Sequence, residues 1–373
     1  MSKYTRLPLT IVKNYFNIVK YPSYCTFLVT WKCNCRCGFC EIWKKPSVDE
    51  LNAAEIKQIF QQLKKMDAVR ITGGEPFLRT DLLEITDIID RCVSPDIIHI
   101  TSNGVLTDRI VEYVRQSTYT NQKLHIKISV DAMGERHDNN RGVSGVFEKA
   151  INTIASLEKY VVDKKILLGI NMSMFDHNSY RDYSDLKLLV NKMGVKIYPS
   201  FAYKTPALYR RDDEVKNVPT NTMGFEPYYD FSNEELKEIF ATLEEDSAQI
   251  TDFVGKMAVQ YNLQGIKNRI MHNDPTPNPK CVALNDHLRL LPDGAVPVCY
   301  FDSRIVGNLR DTPFRKLWFD SQETRKMRND VKRCRGCWVA CETVPNSVYT
   351  GNIFAFLWKL ARSRRSPATS NNW

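Results

Sequence analysis

The sequence predicts an α/β fold in which a parallel sheet, covered by helices, closes part-way into a (β/α)6 barrel, with a smaller cysteine-bearing α+β region behind it. Three observations predict it. From residue 23 to residue 199, short segments rich in β-branched and aromatic residues alternate with segments of helical apolar spacing. The strand segments read as almost continuously apolar, as strands covered on both faces do. The alternation stops near Ser200 after six units, and about 180 residues are too few for a closed eight-stranded barrel.

Each element follows from its own residues. Residues 23–31 (SYCTFLVTW) form the first strand, and a loop with four cysteines follows it directly. Residues 53–66 place Ile56, Ile59, Phe60 and Leu63 on one helical face, and residues 68–72 (AVRIT) form a second strand ending in Gly73-Gly74. Helices at 81–93, 108–116, 146–160 and 183–193 then alternate with strands at 97–101, 125–130, 166–173 and 195–199. Residues 201–230, with Pro206, Pro219, Gly224 and Pro227, have no regular period, the character of a lid or linker. Tyr203, Lys204, Tyr209, Arg210 and Arg211 within it are candidates for substrate contact. Helical spacing resumes at 233–245 and 252–270, and residues 288–291 and 295–299 flank Pro292-Asp293-Gly294 as a β-hairpin. The expected organisation is a basic amphipathic opening (1–22), the barrel (23–200), a lid with helices (201–275), a second cysteine-bearing domain (276–345) and a basic amphipathic tail (346–373).

The composition is that of a globular protein: 43% of the 373 residues are hydrophobic and 25% charged, which argues against a disordered, collagenous or disulfide-scaffold chain. No apolar run approaches the roughly 18–20 residues of a membrane span. The opening segment is broken by Lys3, Arg6, Lys13 and Lys20, unlike a secretory signal, so the expected location is the cytoplasm. Disulfides are rare there, and the eleven cysteines call for another use. Cys33, Cys35, Cys37 and Cys40 form one group, and Cys281, Cys299, Cys334, Cys337 and Cys341 a second, with Cys25 and Cys92 apart in apolar surroundings. Such spacing points to zinc or an iron–sulfur cluster. A structural zinc site wants four closed ligands, whereas Cys33-x3-Cys37-x2-Cys40 on a four-iron cluster leaves one iron open. Cys35 is expected to have no role in it.

This C-x3-C-x2-C loop, with Phe39 before its last cysteine, resembles the signature of radical S-adenosylmethionine (radical SAM) enzymes. Gly73-Gly74-Glu75-Pro76, Thr101-Ser102-Asn103-Gly104 and Ser129-Val130-Asp131 follow in matching order, and the resemblance covers roughly residues 24–200. It implies a partial (β/α)6 TIM-like barrel with a [4Fe-4S] cluster on Cys33, Cys37 and Cys40. S-adenosyl-L-methionine would chelate the open iron, and its reductive cleavage would give a 5′-deoxyadenosyl radical that takes a hydrogen atom from substrate. In that picture Gly73 and Gly74 allow close backbone approach, Glu75 accepts from the cationic amino group and Arg141 pairs with the carboxylate. Ser129 and Asp131 face the ribose hydroxyls, Phe39 and residues around Asn171 and Ser173 pack near the adenine, and Asn103 belongs to the site. The bland alternatives are a simple Gly-Gly turn, a solvated Arg141 and an Asn103 that satisfies only its own turn.

The second group has zinc knuckles as its plain reading. Leu291-Pro292-Asp293-Gly294 before a cysteine, Val306-Gly307-Asn308-Leu309 and Leu317-Trp318 resemble the SPASM and twitch extensions of the radical family. A complete SPASM domain holds two clusters; five cysteines suffice for one auxiliary [4Fe-4S] cluster, with Cys281, Cys299, Cys334 and Cys337 as ligands and Cys341 as a spare or an alternative fourth. The resemblance implies an oxidoreductase acting by two-electron oxidation on a small-molecule, sugar or lipid-linked substrate, supplied with electrons by a reductant such as flavodoxin or ferredoxin. A peptide-modifying maturase is the alternative within the family, and a zinc-stabilised, non-catalytic binding module the alternative outside it. The net charge of +9 suggests an anionic partner. Both termini combine apolar and basic residues, either packed on the body or in peripheral contact with a membrane; no nucleic-acid partner is expected, because the basic residues form no single long tract.

Overall fold

The structure is a computed structural model that describes residues 3–119, 122–204, 207–209, 227–250, 253–334 and 336–356. Six strands lie where the sequence predicts them: β1 (Tyr24–Leu28), β2 (Ala68–Thr72), β3 (Ile97–Ser102), β4 (Leu124–Ser129), β5 (Ile166–Met174) and β6 (Lys196–Phe201). Helices α1 (Lys3–Tyr15), α2 (Ala53–Phe60), α3 (Leu82–Val93), α4 (Thr107–Gln116), α5 (Gly134–Arg141), α6 (Val146–Val162) and α7 (Ser179–Val190) precede and connect them. Of these, α5 was not legible, because GERHDNNR has no apolar stripe. Beyond β6 come α8 (Asn233–Ala248) and α9 (Phe253–His272). They are followed by β7 (His287–Leu290), β8 (Ala295–Pro297), β9 (Ile305–Asn308), α10 (Gln322–Arg333) and α11 (Ala340–Tyr349).

The main sheet has seven parallel strands in the order β6-β5-β4-β3-β2-β1-β7. Here the predicted hairpin is corrected. The chain does turn at Gly294, whose N–H donates to Leu291 O at 3.0 Å. Its two arms, however, enter different sheets: β7 runs parallel to β1, while β8 pairs antiparallel with β9. The edge of β1 would otherwise leave a row of backbone groups unpaired, and Leu288 and Leu290 of β7 are fully buried.

A second correction concerns the strands themselves, which alternate rather than run continuously apolar. Cys25, Phe27, Val69, Ile71, Ile98, Ile100, Ile126 and Ile128 are fully buried in the core shared with the helices. With a period of two, Thr26, Arg70, His99, His125 and Lys127 point to the opposite, concave face. The register sets Arg289, Thr26, Arg70, His99 and His125 side by side across five strands. The hollow of the barrel is therefore polar and basic.

At the N-terminal end, α1 packs on the body: Arg6 pairs with Asp67, and buried Asn14 donates to Asp286 Oδ2 and Tyr349 O, both at 2.9 Å. The basic residues expected in the tail, from Lys359 onward, lie outside the described residues, as do Arg210 and Arg211. Among the described residues no helix is long and apolar enough to cross a membrane. Behind the sheet, the fully buried Trp338 ring lies on Gly265 of α9, where an added Cβ would come within 1.9 Å of the ring. Its Nε1–H donates to Asn262 O at 3.0 Å and the Arg269 guanidinium stands 4.1 Å from its centre. Gly265→Ala should lower the melting temperature, because overpacking costs about 1–3 kcal/mol against a helix-propensity gain of about 1 kcal/mol; a thermal melt followed by circular dichroism that instead rises would show that Trp338 is not fixed there.

Candidate active site

The cysteine loop leaves β1 at the carboxyl edge of the sheet and is held on two sides by backbone. On one side Val29 N donates to Thr72 O (2.9 Å), Gly74 N to Thr30 O (2.8 Å) and Glu75 N to Lys32 O (2.7 Å). Gly73 has φ +128°, and a Cβ there would lie 2.4 Å from Thr30 O; a Cβ on Gly74 would lie 2.0 Å from Lys32 O. The close approach these glycines allow is therefore to the cysteine loop itself. On the other side Arg36 N donates to Arg141 O (2.7 Å) and Gly38 N to Asn140 O (3.1 Å), at the end of α5. Glu50, which the sequence did not single out, accepts from Trp31 N (2.7 Å), Thr30 Oγ1 (3.0 Å) and Ser47 Oγ (2.6 Å) through one oxygen. No motif signals it.

Cys33, Cys35, Cys37 and Cys40 pack together with Val105, Val143 and Val146. Burial pushes the Cys33 thiol up to about 11 and those of Cys35 and Cys40 to about 12. Burial also raises Cys37, against which the Arg141 guanidinium acts, with Nη1 3.6 Å from Sγ. Such thiols stay protonated unless a cation replaces their protons. Among the described residues no three His, Cys, Asp or Glu side chains form a ready-made metal cage. The fit is one of donor chemistry: soft sulfur donors sharing one desolvated patch suit iron–sulfur binding.

Several predicted ligand contacts are already occupied within the chain. Glu75, 1% exposed, accepts through Oε1 from Phe77 N (3.1 Å) and Ser102 Oγ (2.9 Å), and through Oε2 from Asn103 N (2.7 Å). Burial raises its carboxyl to about 7 against these donors. A carboxylate offers about four acceptor positions, so one remains. Asn103 donates to Asn34 of the cysteine loop (2.6 Å) and accepts from Val105 N (3.0 Å), which closes its turn and braces the loop. Arg141 and Asp131, expected on different parts of a ligand, bind each other at 2.6 Å. Asp131 also accepts from Asn140 (2.9 Å) and Ser173 N (3.0 Å), while its own N–H donates to His137 Nδ1 (3.0 Å). Ser129 is buried in register with Asn171. Phe39 meets Tyr228 edge-on, ring centres 6.2 Å apart.

Cysteines of both groups pack on one apolar cluster: Cys33 and Cys40 of the first, and Cys299, Cys337 and Cys341 of the second, lie against residues that include Leu28, Trp31, Leu291 and Tyr300. Cys281, Cys299 and Cys337 act on one another electrostatically, and burial raises all three, Cys281 to about 12; Cys334 is exposed and also acts on Cys281. Cys341 also acts on Cys337 and lines a cavity of about 170 Å3 together with Cys40, Phe39, Asn171, Tyr203, Tyr209 and Tyr300. Buried Glu342 beside it is ion-paired with Arg289 and lies 3.3 Å from His287 Nδ1. Burial opposes its charge, but Arg289 and His287 more than offset that and hold its carboxyl at about 2.

Comparison with known proteins assigns the two cysteine-bearing regions to known domains. Residues 28–189 match the Radical SAM superfamily, and residues 281–338 match SPASM, an iron–sulfur cluster-binding domain. An AdoMet-dependent heme synthase from Methanosarcina barkeri is 26% identical over 329 residues, 84% of this chain and 88% of that protein. The subtilosin biosynthesis protein AlbA of Bacillus subtilis is 28% identical over 193 residues, 51% of this chain and 41% of its own length. In fold, Streptococcus suis SuiB bound to S-adenosylmethionine superposes with a TM-score of 0.56 at 15% identity, covering 85% of this chain and 70% of that one. The chain belongs to the Radical SAM superfamily and carries a SPASM domain, and its cofactors are a [4Fe-4S] cluster, S-adenosylmethionine and an auxiliary iron–sulfur cluster.

Proposed function

We propose that Cys33, Cys37 and Cys40 hold the radical cluster, that Cys281, Cys299, Cys334 and Cys337 hold the auxiliary one, and that a small-molecule substrate is oxidised by two electrons in the cavity between them. One observation carries this reading: Cys40 of the first group and Cys341 of the second border the same cavity of about 170 Å3. When bound, the radical cluster with S-adenosylmethionine supplies hydrogen-atom abstraction, and the auxiliary cluster supplies an acceptor for the electron left behind. The remaining acceptor position on Glu75 is available to the methionine amino group, and Phe39, Asn171 and Ser173 line the cavity where the adenosine would lie. Arg141, ion-paired with Asp131 through one nitrogen, turns another toward Cys37 Sγ rather than reaching for a ligand carboxylate. Tyr203, Tyr209 and Tyr300 wall the far side; Tyr209 meets Tyr300 edge-on at 4.9 Å, and the hydroxyls of Tyr203 and Tyr300 are 3.2 Å apart. Packed walls of this kind exclude water from a reactive centre.

A peptide substrate is the second reading. It is favoured by relatives named for peptide maturation, AlbA and the sporulation killing factor maturation protein SkfB of Bacillus subtilis, and by SuiB, solved with its precursor peptide. The size of the cavity, about 170 Å3, favours the small molecule, and a peptide would have to present a single side chain to it.

Anaerobically purified and reconstituted protein should carry about eight irons per chain, the content of two four-iron clusters. Cys33→Ala, Cys37→Ala and Cys40→Ala together should lower this to about four irons and abolish reductive cleavage of S-adenosylmethionine; continued 5′-deoxyadenosine formation would refute the ligand assignment. For the auxiliary site, Cys334→Ala should lose about four irons per chain while Cys341→Ala keeps them, and the reverse pattern would move Cys341 into the ligand set. Gly74→Ala should lose radical-cluster iron although it touches no ligand, since its Cβ cannot clear Lys32 O; full iron occupancy in that variant would show that the loop does not need the clamp.

A further inference from the structure

Most of the buried or half-buried arginines near the sheet are matched by acids. Arg141 pairs with Asp131, Arg289 with Glu342, Arg79 with Asp81, and Arg136 with Asp176 and Asp182. Arg70 is different. It projects from β2 into the concave face, between Thr26 and His99 in register, and lines the cavity that Cys40 and Cys341 border. Among the described residues it forms no ion pair and no hydrogen bond. The groups acting on it that can carry negative charge are Tyr24, Cys341 and Tyr209, none of them a carboxylate, and Arg289 repels it.

The neighbours on the same face add positive charge rather than cancel it. Lys127, two strands away on β4, forms no ion pair among the described residues and stands 3.9 Å from the centre of the Tyr198 ring. Burial, and then the charge of Arg70, push its amino group down to about 8. Burial keeps His99 and His125 neutral, His125 at about 3. An unpaired cation in a poorly hydrated hollow is costly, and buried charges are ordinarily paired. A guanidinium presents a planar fork of donors that matches a carboxylate or a phosphate with two parallel hydrogen bonds.

We propose that Arg70 binds an anionic oxygen group of the substrate, a carboxylate or a phosphate, deep in the cavity and so turns the rest of the substrate toward Cys40 and the carboxyl edge of the sheet. Lys127, two strands away on the same face, adds to the positive field without lining the cavity. Besides Phe39, Asn171 and Ser173, which face the adenosine in the proposed function, the lining of the cavity includes Thr26, Arg70 and Arg289, so the anionic group and the adenosine meet different residues. The inference rests on the proposed function in one respect, that this cavity receives the substrate.

The test is thermal melting of the fully reconstituted protein with S-adenosylmethionine saturating, so that its carboxylate does not compete. Sodium phosphate or sodium acetate is titrated in, against sodium chloride at equal ionic strength. Wild type should show a saturable rise of about 2 °C or more with one of the two anions, and which anion acts identifies the group. Arg70→Met should lose the rise and, without added anion, melt no lower than wild type, because it removes a charge that has no partner. Arg70→Gln replaces it if the methionine variant does not fold. A wild type without a saturable rise for either anion, a variant that keeps the rise, or failure of both variants to fold overturns the proposal. The radical chemistry is read separately, from iron content and 5′-deoxyadenosine, so either can fail while the other stands.

Discussion

The site depends on the double clamp that holds the cysteine loop at the carboxyl edge of the sheet. On one side the turn after β2 donates Gly74 N and Glu75 N to the loop carbonyls; on the other, the end of α5 accepts Arg36 N and Gly38 N. The first of these sides tolerates no side chain in the contact, since a Cβ on Gly73 or Gly74 would overlap backbone oxygen at 2.4 or 2.0 Å. The clamp fixes where four thiols lie before any metal is bound. It also places them where burial keeps them protonated. Loading a cluster thus exchanges protons for iron in a loop whose backbone is already determined, which spares much of the ordering entropy a flexible loop would lose.

Glu75 and Asn103 acquire a second meaning from this clamp. Both belong to motifs that the sequence associates with a bound cofactor, yet in the structure each spends most of its hydrogen-bonding capacity on its own chain. Glu75 ties the turn after β2 to the turn after β3, and Asn103 ties the latter to Asn34 in the cysteine loop. Residues that position a site and residues that touch its ligand are hard to tell apart from sequence, because both need a polar group at the end of a strand. The Arg141–Asp131 pair makes the same point: each was legible as a functional candidate, but their partnership across ten residues of chain was not.

The barrel was legible because its six strand–helix units repeat a periodicity that local sequence carries. What escaped was whatever depends on distant partners. The segment at residues 287–290 has the apolar character of a strand, and a Pro-Asp-Gly turn follows it; only the vacant edge of β1, more than 250 residues earlier, decides that it joins the main sheet. The α5 helix escaped because it packs through backbone and polar contacts rather than an apolar face. The alternation in β2, β3 and β4 is present in AVRIT, IIHITS and LHIKIS, but the number of isoleucines and valines hides it. Read at a period of two, the same letters put Val69, Ile71, Ile98, Ile100, Leu124, Ile126 and Ile128 under the helices and every basic residue in the hollow; only Ala68 and Ile97, at the starts of their strands, share the parity of the basic residues.

Strand β7 explains how two cysteine groups so far apart in the sequence come to border one cavity. Because β7 pairs with β1, and paired strands lie about 4.8 Å apart, the turn that follows β7 emerges beside the cysteine loop that follows β1. Leu51 N, just past that loop, donates to Pro292 O at 2.6 Å, and Arg310 beyond β9 pairs with Asp49 at 2.6 Å. The C-terminal elements are therefore anchored through sheet hydrogen bonds rather than hung on a linker, and the spacing between the two groups is set by the sheet. Arg289 belongs to the same strand: it carries Glu342 on one side and reaches the cavity on the other. A single added strand thus aligns the second cysteine group, neutralises one cation of the hollow, and leaves Arg70 as the cavity arginine without an acid.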